Sequence, residues 1–193
     1  MTDGKPEGIS PSQTVGPFFA FGLTPGDYNF RAIFSNDLTA EGATGERVRL
    51  EGTIVDGDAA PVVDAMIEIW QADAQGRYPT GSDRVNTAFR GFGRTETKDG
   101  RFSFTTVKPG PVSGPKGSTQ APHLNVTIFA RGLLTHLVTR IYFEGEASNA
   151  QDPILTLVPS HRRDTLIARR TGDNTYSIAI RLQGGNETVF FAA

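Results

Sequence analysis

The segment 121–131, Ala-Pro-His-Leu-Asn-Val-Thr-Ile-Phe-Ala-Arg, holds the residue types that come nearest to a chemical site. Apolar and polar residues alternate along it, which predicts a strand whose side chains point to two faces. The predicted buried face carries Leu124, Val126, Ile128 and Ala130, and the other face carries His123, Asn125, Thr127, Phe129 and Arg131. A polar row of this kind is typical of a solvent-exposed face, so a function for it needs further support.

The three histidines do not by themselves predict a metal site. His123, His136 and His161 lack the His-x-His and His-x-x-x-His spacings and have no acidic partner close in sequence, so each is expected at the surface or at a cap. There is no Gly-x-Ser-x-Gly motif, and the glycines at 91 and 93 lack the third glycine and the helix of a dinucleotide-binding loop. No complete catalytic set is predicted from the residues alone.

The elements that must position these residues are predicted to be strands. The 22 glycines and 12 prolines fall between short alternating apolar runs, which indicates an all-β protein, a β-sandwich of mainly antiparallel strands with short helices and long loops. A helix is predicted over 160–170, with Ser160 as its N-cap and with Leu166 and Ile167 facing inward. The predicted strands are 47–55, 65–72, 101–107, 123–131, 137–143, 176–182 and 188–191.

Composition excludes several functional classes. A chain of 193 residues with 37% apolar content is long enough for one domain with a real core. Its net charge of -2 comes from 19 basic and 21 acidic residues spread along the chain, so neither nucleic acid nor a membrane is an expected partner. The absence of cysteine excludes disulfides and thiolate chemistry. Without an apolar leader or spanning run, we expect a cytoplasmic protein.

Several motifs occur together in the order and spacing of one known family. They are Pro-Ser-Gln-Thr-Val-Gly-Pro-Phe at 11–18, Ile-Glu-Ile-Trp-Gln-Ala-Asp at 67–73, Gly-Arg-Tyr at 76–78, Gly-Arg-Thr at 93–95, Val-Lys-Pro-Gly-Pro at 107–111, Ala-Pro-His at 121–123 and Glu-Thr-Val-Phe-Phe at 187–191. On these motifs the chain resembles the intradiol ring-cleavage dioxygenases over nearly its whole length. The resemblance implies a single dioxygenase-like domain over 1–193 and oxidoreductase chemistry that incorporates both atoms of O2 into a catecholic ring.

The ligand positions of that family are only half retained here. Members hold ferric iron with two tyrosines and two histidines. The first tyrosine matches Tyr78 and the first histidine matches His123, whereas the second tyrosine falls at Val112 and the second histidine at Asn125. An arginine that precedes the first histidine by three residues in catalytic chains is Gln120 here. The resemblance therefore implies vestigial ligand positions, no metal in this chain, and Fe(III) bound by a partner.

The same loss of ligands marks the alpha subunits of the family's two-chain enzymes, which pair with a homologous iron-binding beta subunit and help to wall its active site. The resemblance implies that such a pair opens protocatechuate with O2 to 3-carboxy-cis,cis-muconate, a step of the beta-ketoadipate pathway of aromatic catabolism. It implies that the extended segment 1–46 contacts the partner. It also implies substrate-binding roles for Arg131, Thr14, Gly16, Pro17 and Phe18, although Phe18 lacks the hydroxyl of the tyrosine common at its position.

Spacing sets Arg131 apart from the vestigial ligands. If the strand 123–131 is straight, about 3.3 Å per residue puts His123 and Arg131 roughly 26 Å apart. That distance is too long for one small-molecule site, so Arg131 is expected to serve another pocket.

Two other interpretations stay open. The segments 52–56 and 61–65 and the turns at 99–100 and 108–110 are also typical of a non-catalytic transthyretin-like β-sandwich binding module. That pattern explains the fold but not the motifs at 11–18 and 121–123. An active single-chain intradiol enzyme with unusual ligands is the third interpretation, against which Val112 and Asn125 argue.

Overall fold

The structure is a computed structural model that describes residues 13–16, 19–28, 30–39, 43–79 and 89–192. The described residues form ten strands, one short α-helix and several 3-10 helices. The strands are β1 (Arg47–Val55), β2 (Met66–Trp70), β3 (Phe92–Glu96), β4 (Arg101–Val107), β5 (Val112–Ser113), β6 (Thr119–Gln120), β7 (His123–Phe129), β8 (Leu137–Phe143), β9 (Ile167–Gly172) and β10 (Thr175–Arg181). The helix α1 spans Phe19–Leu23, and the 3-10 helices cover Pro25–Tyr28, Pro115–Gly117, Ala147–Gln151, Leu155–Leu157 and Ser160–Leu166.

Eight of these strands form one sheet in the order β3-β2-β7-β8-β9-β10-β1-β4, and β5 and β6 form a separate hairpin. Neighbouring strands are antiparallel except for β8 with β9 and β1 with β10. Buried side chains of both halves, such as Leu50 and Phe104 in one and Ile69 and Val126 in the other, join a single core. The sheet therefore folds over on itself as a sandwich.

Strand β1 shows how the sequence produces these half-buried strands. Its apolar Val48, Leu50 and Ile54 are buried, and the polar residues between them are exposed or partly exposed. Each apolar side chain buried in this way stabilises the fold by about 1.5 to 3 kcal/mol. Gly52 also faces inward, where a Cβ atom would overlap the ring of Phe102, so this position requires glycine.

The all-β prediction is confirmed, and the predicted strands 47–55, 101–107 and 137–143 agree with the structure to the residue. The strands predicted over 65–72 and 123–131 are shorter than expected at their ends, and the strand predicted over 176–182 is displaced by a single residue. Alternation and flanking turns were therefore sufficient signals for β1 and β4, whose buried and exposed residues alternate.

The predicted helix over 160–170 is wrong in its second half. Ser160–Leu166 is a 3-10 helix with Pro159, not Ser160, at the cap position, and the chain then continues as β9. Because β9 pairs with β10 and with β8, ladder hydrogen bonds override the local helical preference. Leu166 is buried as expected.

The C-terminal strand predicted over 188–191 is also wrong. Phe191 makes an isolated bridge with Val138 instead of a ladder. Strand β3 is absent from the prediction because its sequence, Phe-Gly-Arg-Thr-Glu, holds a glycine and two charges in five residues.

Residues 13–39, here called the N-terminal arm, run over the sheet in their described parts. Leu38 is buried, and its amide donates to the Thr105 carbonyl at 2.9 Å. Thr105 in turn donates to the Asn36 carbonyl at 2.9 Å, so the end of the arm is tied to β4. No helix in the described ranges is both long enough and apolar enough to span a membrane.

Candidate functional site

The four positions that correspond to the family's iron ligands, Tyr78, Val112, His123 and Asn125, are called here the vestigial cluster. Tyr78 and Asn125 meet directly, because the Asn125 amide Nδ2 donates to the Tyr78 hydroxyl at 3.0 Å. The same nitrogen donates to the Trp70 carbonyl at 3.2 Å, and the Tyr78 ring stacks on the Trp70 ring with centroids 5.8 Å apart. An amide donor thus faces the phenol at the position where the family has an imidazole lone pair.

His123 is buried, so the expectation of a surface or capping residue is wrong for it, whereas His136 and His161 are exposed. Its Nδ1 lies 2.7 Å from the Ala121 carbonyl oxygen. A carbonyl only accepts, so Nδ1 carries the proton and the lone pair is on Nε2. Burial lowers the pKa of His123, and the positive charge of Arg140 lowers it as well, which favours the neutral ring. Nε2 has no partner among the described residues.

Val112 lies in the β5-β6 hairpin, buried and paired with Gln120. Its isopropyl group has no lone pair to donate. The side-chain amide oxygen Oε1 of Gln120 accepts from Arg140 Nη1 at 2.7 Å, and Arg140 is the residue directly opposite Asn125 across the β7-β8 ladder. A guanidinium is therefore held beside the vestigial cluster.

Tyr142 and Asp152 form the buried side of this network. The Tyr142 hydroxyl donates to Asp152 Oδ1 at 3.0 Å, and burial raises the pKa of Tyr142. The Asp152 carboxylate also accepts from the backbone amides of Ala121, Ile154 and Leu155. These bonds tie the loop before β7 to the 3-10 helix Leu155–Leu157, so the hydrogen-bonding capacity of Asp152 serves the structure.

The donor set of the vestigial cluster does not fit ferric iron. It retains a phenol and an imidazole but has lost a second phenolate and a second imidazole, and ferric iron requires hard anionic oxygen donors. Across the ranges that the structure describes, no group of three or more His, Cys, Asp or Glu residues could hold a metal ion. That this chain carries no iron stays a prediction.

Residues 130–133 form the second part of the site, called here the Arg131 turn. Strand β7 ends at Phe129, and the Leu133 amide donates to the Ala130 carbonyl at 3.3 Å. The hydroxyl of Thr14 accepts from the Gly132 amide at 2.8 Å and makes a longer contact of 3.5 Å with the Ala130 carbonyl. The fold therefore brings together two predicted substrate residues, Thr14 and Arg131, that lie far apart in sequence.

The side chain of Arg131 is 64% exposed, and its Nε forms an ion pair with the carboxylate of Asp64. The preceding strand places it at the opposite end of β7 from His123, as the spacing argument predicts. Gly16 is exposed and its carbonyl accepts from the Phe19 amide at 3.2 Å, at the beginning of α1. Pro17 and Phe18 lie outside the described residues.

A network on β3 anchors the N-terminal arm, and the sequence assigned its residues no role beyond their place in the family motifs. Arg94 donates to Glu68 Oε1 through Nε at 2.8 Å and through Nη2 at 2.5 Å, and its Nη1 reaches the Leu23 carbonyl at 3.3 Å. One residue further, Thr24 donates to Glu96 at 2.7 Å. Gly-Arg-Thr at 93–95 signalled this element as a motif, but its cross-strand partner Glu68 was not predictable.

A cavity of about 1210 Å³ opens between the N-terminal arm and strands β1, β3 and β4. Its lining combines aromatic Phe34 and Phe92 with charged Arg49 and Glu51. None of its described lining residues belongs to the vestigial cluster or to the Arg131 turn. It is an open groove beneath the arm and does not coincide with the predicted site residues.

The chain is similar to known proteins over most of its length. Residues 16–183 match the family described as Dioxygenase. The chain is 46% identical over 193 residues to the protocatechuate 3,4-dioxygenase alpha chain of Burkholderia cepacia, covering 94% of this chain and 96% of that protein. It is 34% identical over 158 residues to the beta chain from the same organism, covering 75% of this chain and 67% of that protein.

The fold is shared with solved structures. The intradiol ring-cleavage dioxygenase from Tetranychus urticae matches with a TM-score of 0.60 at 20% identity, covering 81% of this chain and 91% of that chain. At this identity the match concerns the fold alone, whereas the family match and the alpha-chain identity concern the sequence itself. This chain therefore belongs to the intradiol dioxygenase family.

Proposed function

We propose that this chain is the non-iron-binding alpha subunit of a protocatechuate 3,4-dioxygenase. In this proposal it pairs with a homologous iron-binding beta subunit and completes the pocket in which protocatechuate is opened by O2. The product is 3-carboxy-cis,cis-muconate, which contains both oxygen atoms. The observation that carries the proposal is the Asn125 amide bonded to Tyr78, where a metal-binding chain needs two iron ligands.

The proposed contribution of this chain is to bind and orient the substrate. The guanidinium of Arg131 is planar and permanently charged, so it suits the planar carboxylate of protocatechuate. The hydroxyl of Thr14 fixes the turn that presents Arg131, and Gly16, Pro17 and Phe18 are proposed to line the pocket beside it. Ferric iron, held by the partner, supplies the oxygen chemistry, and the vestigial cluster takes no part in it.

Exposed apolar residues of the arm support the proposed partner contact. Six of the nine exposed large apolar side chains in the described ranges lie within residues 21–34, and Phe30 and Ile33 are 63% and 77% exposed. Side chains of this size in one segment favour burial against another chain. This supports the proposal that the segment 1–46 contacts the beta subunit; a cytoplasmic location stays a prediction from the composition.

Co-expression with an iron-binding beta chain tests the proposal. We expect one stable complex of both chains by mass measurement, with protocatechuate-dependent O2 uptake that neither chain shows alone. The assignment would be rejected if this chain stayed a monomer in the presence of the beta chain, or if the beta chain were fully active without it.

A further inference from the structure

We propose that Asp64 is a positioning residue that orients the Arg131 guanidinium for recognition of the substrate carboxylate. This inference rests on the proposed function, because it takes Arg131 as the group that meets the substrate. The supporting observation is the ion pair between the Arg131 Nε and the Asp64 carboxylate. A contact at Nε leaves the terminal edge of the guanidinium, formed by Nη1 and Nη2, for a second anion.

Asp64 stands on a rigid loop, which is what a positioning residue requires. The buried Thr97 side chain donates to the Val62 carbonyl at 2.7 Å and accepts from the Ala65 amide at 2.9 Å. The Thr97 amide also donates to the Ala65 carbonyl at 2.8 Å. Both sides of Asp64 are therefore tied to one buried side chain, and its carboxylate is presented from a fixed backbone.

The other side of the ion pair is fixed at its backbone only. Thr14 and the Ala130 carbonyl hold the Arg131 turn, and Gly132 adopts the left-handed conformation at φ 86°, which favours glycine. The side chain of Arg131 itself is 64% exposed and has four rotatable bonds, so the turn alone cannot direct its guanidinium. Asp64 is the acidic group that limits this freedom, since no other described carboxylate pairs with Arg131.

An isolated exposed ion pair is worth little stability, so a role of Asp64 must be visible in substrate selectivity. Orientation of the guanidinium matters for a substrate that carries a carboxylate and does not matter for catechol, which lacks one. Because the effect acts through Arg131, it must disappear when Arg131 is removed. These two features separate positioning from a general structural contribution.

The test uses the assembled alpha–beta enzyme with Asp64→Asn, which keeps the shape of the side chain and removes its charge. We expect kcat/KM for protocatechuate to fall about three- to tenfold, mainly through KM, with catechol unchanged. Asp64→Glu should recover part of the loss, and Asp64→Asn should add nothing to Arg131→Ala. The matched control is Glu51→Gln, which breaks the similarly exposed Arg49–Glu51 pair. It should leave kcat/KM unchanged for both substrates.

Each other outcome overturns the positioning role. Equal losses for both substrates, additive losses with Arg131→Ala, no loss, or a gain in protocatechuate turnover would each contradict it. If Arg131→Ala is selective while Asp64→Asn is not, this inference fails and the proposed function stands. If Arg131→Ala shows no selectivity, the substrate role of Arg131 fails with it.

Discussion

At the scale of single residues, this chain differs from the iron-binding members of its family at two ligand positions. Val112 offers no lone pair, and Asn125 turns its amide donor toward Tyr78. His123 retains the tautomer of a ligand, because Nδ1 donates to the Ala121 carbonyl and leaves the Nε2 lone pair free of described partners. The positions were predictable by carrying over the family motif, whereas the burial of His123 was not, since a lone histidine in sequence has no signal for it.

Replacement of Arg131 should weaken turnover of protocatechuate. A charge-assisted hydrogen bond in a partly buried pocket is worth about 1.5 to 3 kcal/mol, so Arg131→Ala in the assembled enzyme should lower kcat/KM for protocatechuate on the order of ten- to a hundredfold. The loss should be far smaller for catechol, and the iron content should not change. Steady-state kinetics with both substrates provide the measurement.

Other kinetic results lead to other roles for Arg131. Equal losses for protocatechuate and catechol would indicate a structural or interface role. No loss for either would leave it as a surface residue in an ion pair with Asp64, worth about 0 to 1 kcal/mol.

At the scale of elements, β3 connects the sheet to the N-terminal arm. Arg94 lies directly opposite Glu68, with both side chains mostly buried, and its guanidinium also lies 5.1 Å from the centroid of the Phe34 ring. The arm is thus held near Leu23 by β3 and near Thr14 by the Arg131 turn. One anchor on β3 and one in the turn after β7 therefore hold the arm at Leu23 and at Thr14.

Loss of the β3 anchor should loosen the arm. Arg94→Gln removes both hydrogen bonds to Glu68, leaves that carboxylate without its ion pair, and should cost about 1 to 3 kcal/mol of stability. We expect faster proteolysis within the arm and a lower melting temperature. The matched control is Arg49→Gln, which breaks an ion pair whose two side chains are 52% and 49% exposed and should change stability by less than about 1 kcal/mol. Equal effects of the two substitutions would contradict an anchoring role.

The same scale shows what the sequence can predict about the fold. Strands β1 and β4, which show clear alternation between turns, were predicted to the residue, as was β8. Strand β9 was missed because its pairing with β8 and β10, not its own residues, makes it a strand. Strand β3 was missed for the same reason, because Arg94 and Glu96 are stabilised by partners on β2 and on the arm.

At the scale of the whole molecule, the proposed substrate site combines distant parts of the chain. Thr14 reaches the Arg131 turn across a separation of 118 residues, and Asp64 reaches Arg131 from the loop before β2. Periodicity and spacing report on neighbours within one element, so neither contact has a sequence signal. The family resemblance gave Thr14 and Arg131, whereas the role proposed for Asp64 comes from the fold alone.

We propose that the iron of the complete enzyme is held by the partner and not by this chain. Metal analysis tests it most directly, on this chain purified alone and on the pair purified after co-expression with a beta chain. We expect no iron and no visible colour in the chain alone, and iron with tyrosinate charge-transfer absorption in the pair. Near-stoichiometric iron with visible absorption in the chain alone would show instead that Val112 and Asn125 have not abolished the iron site.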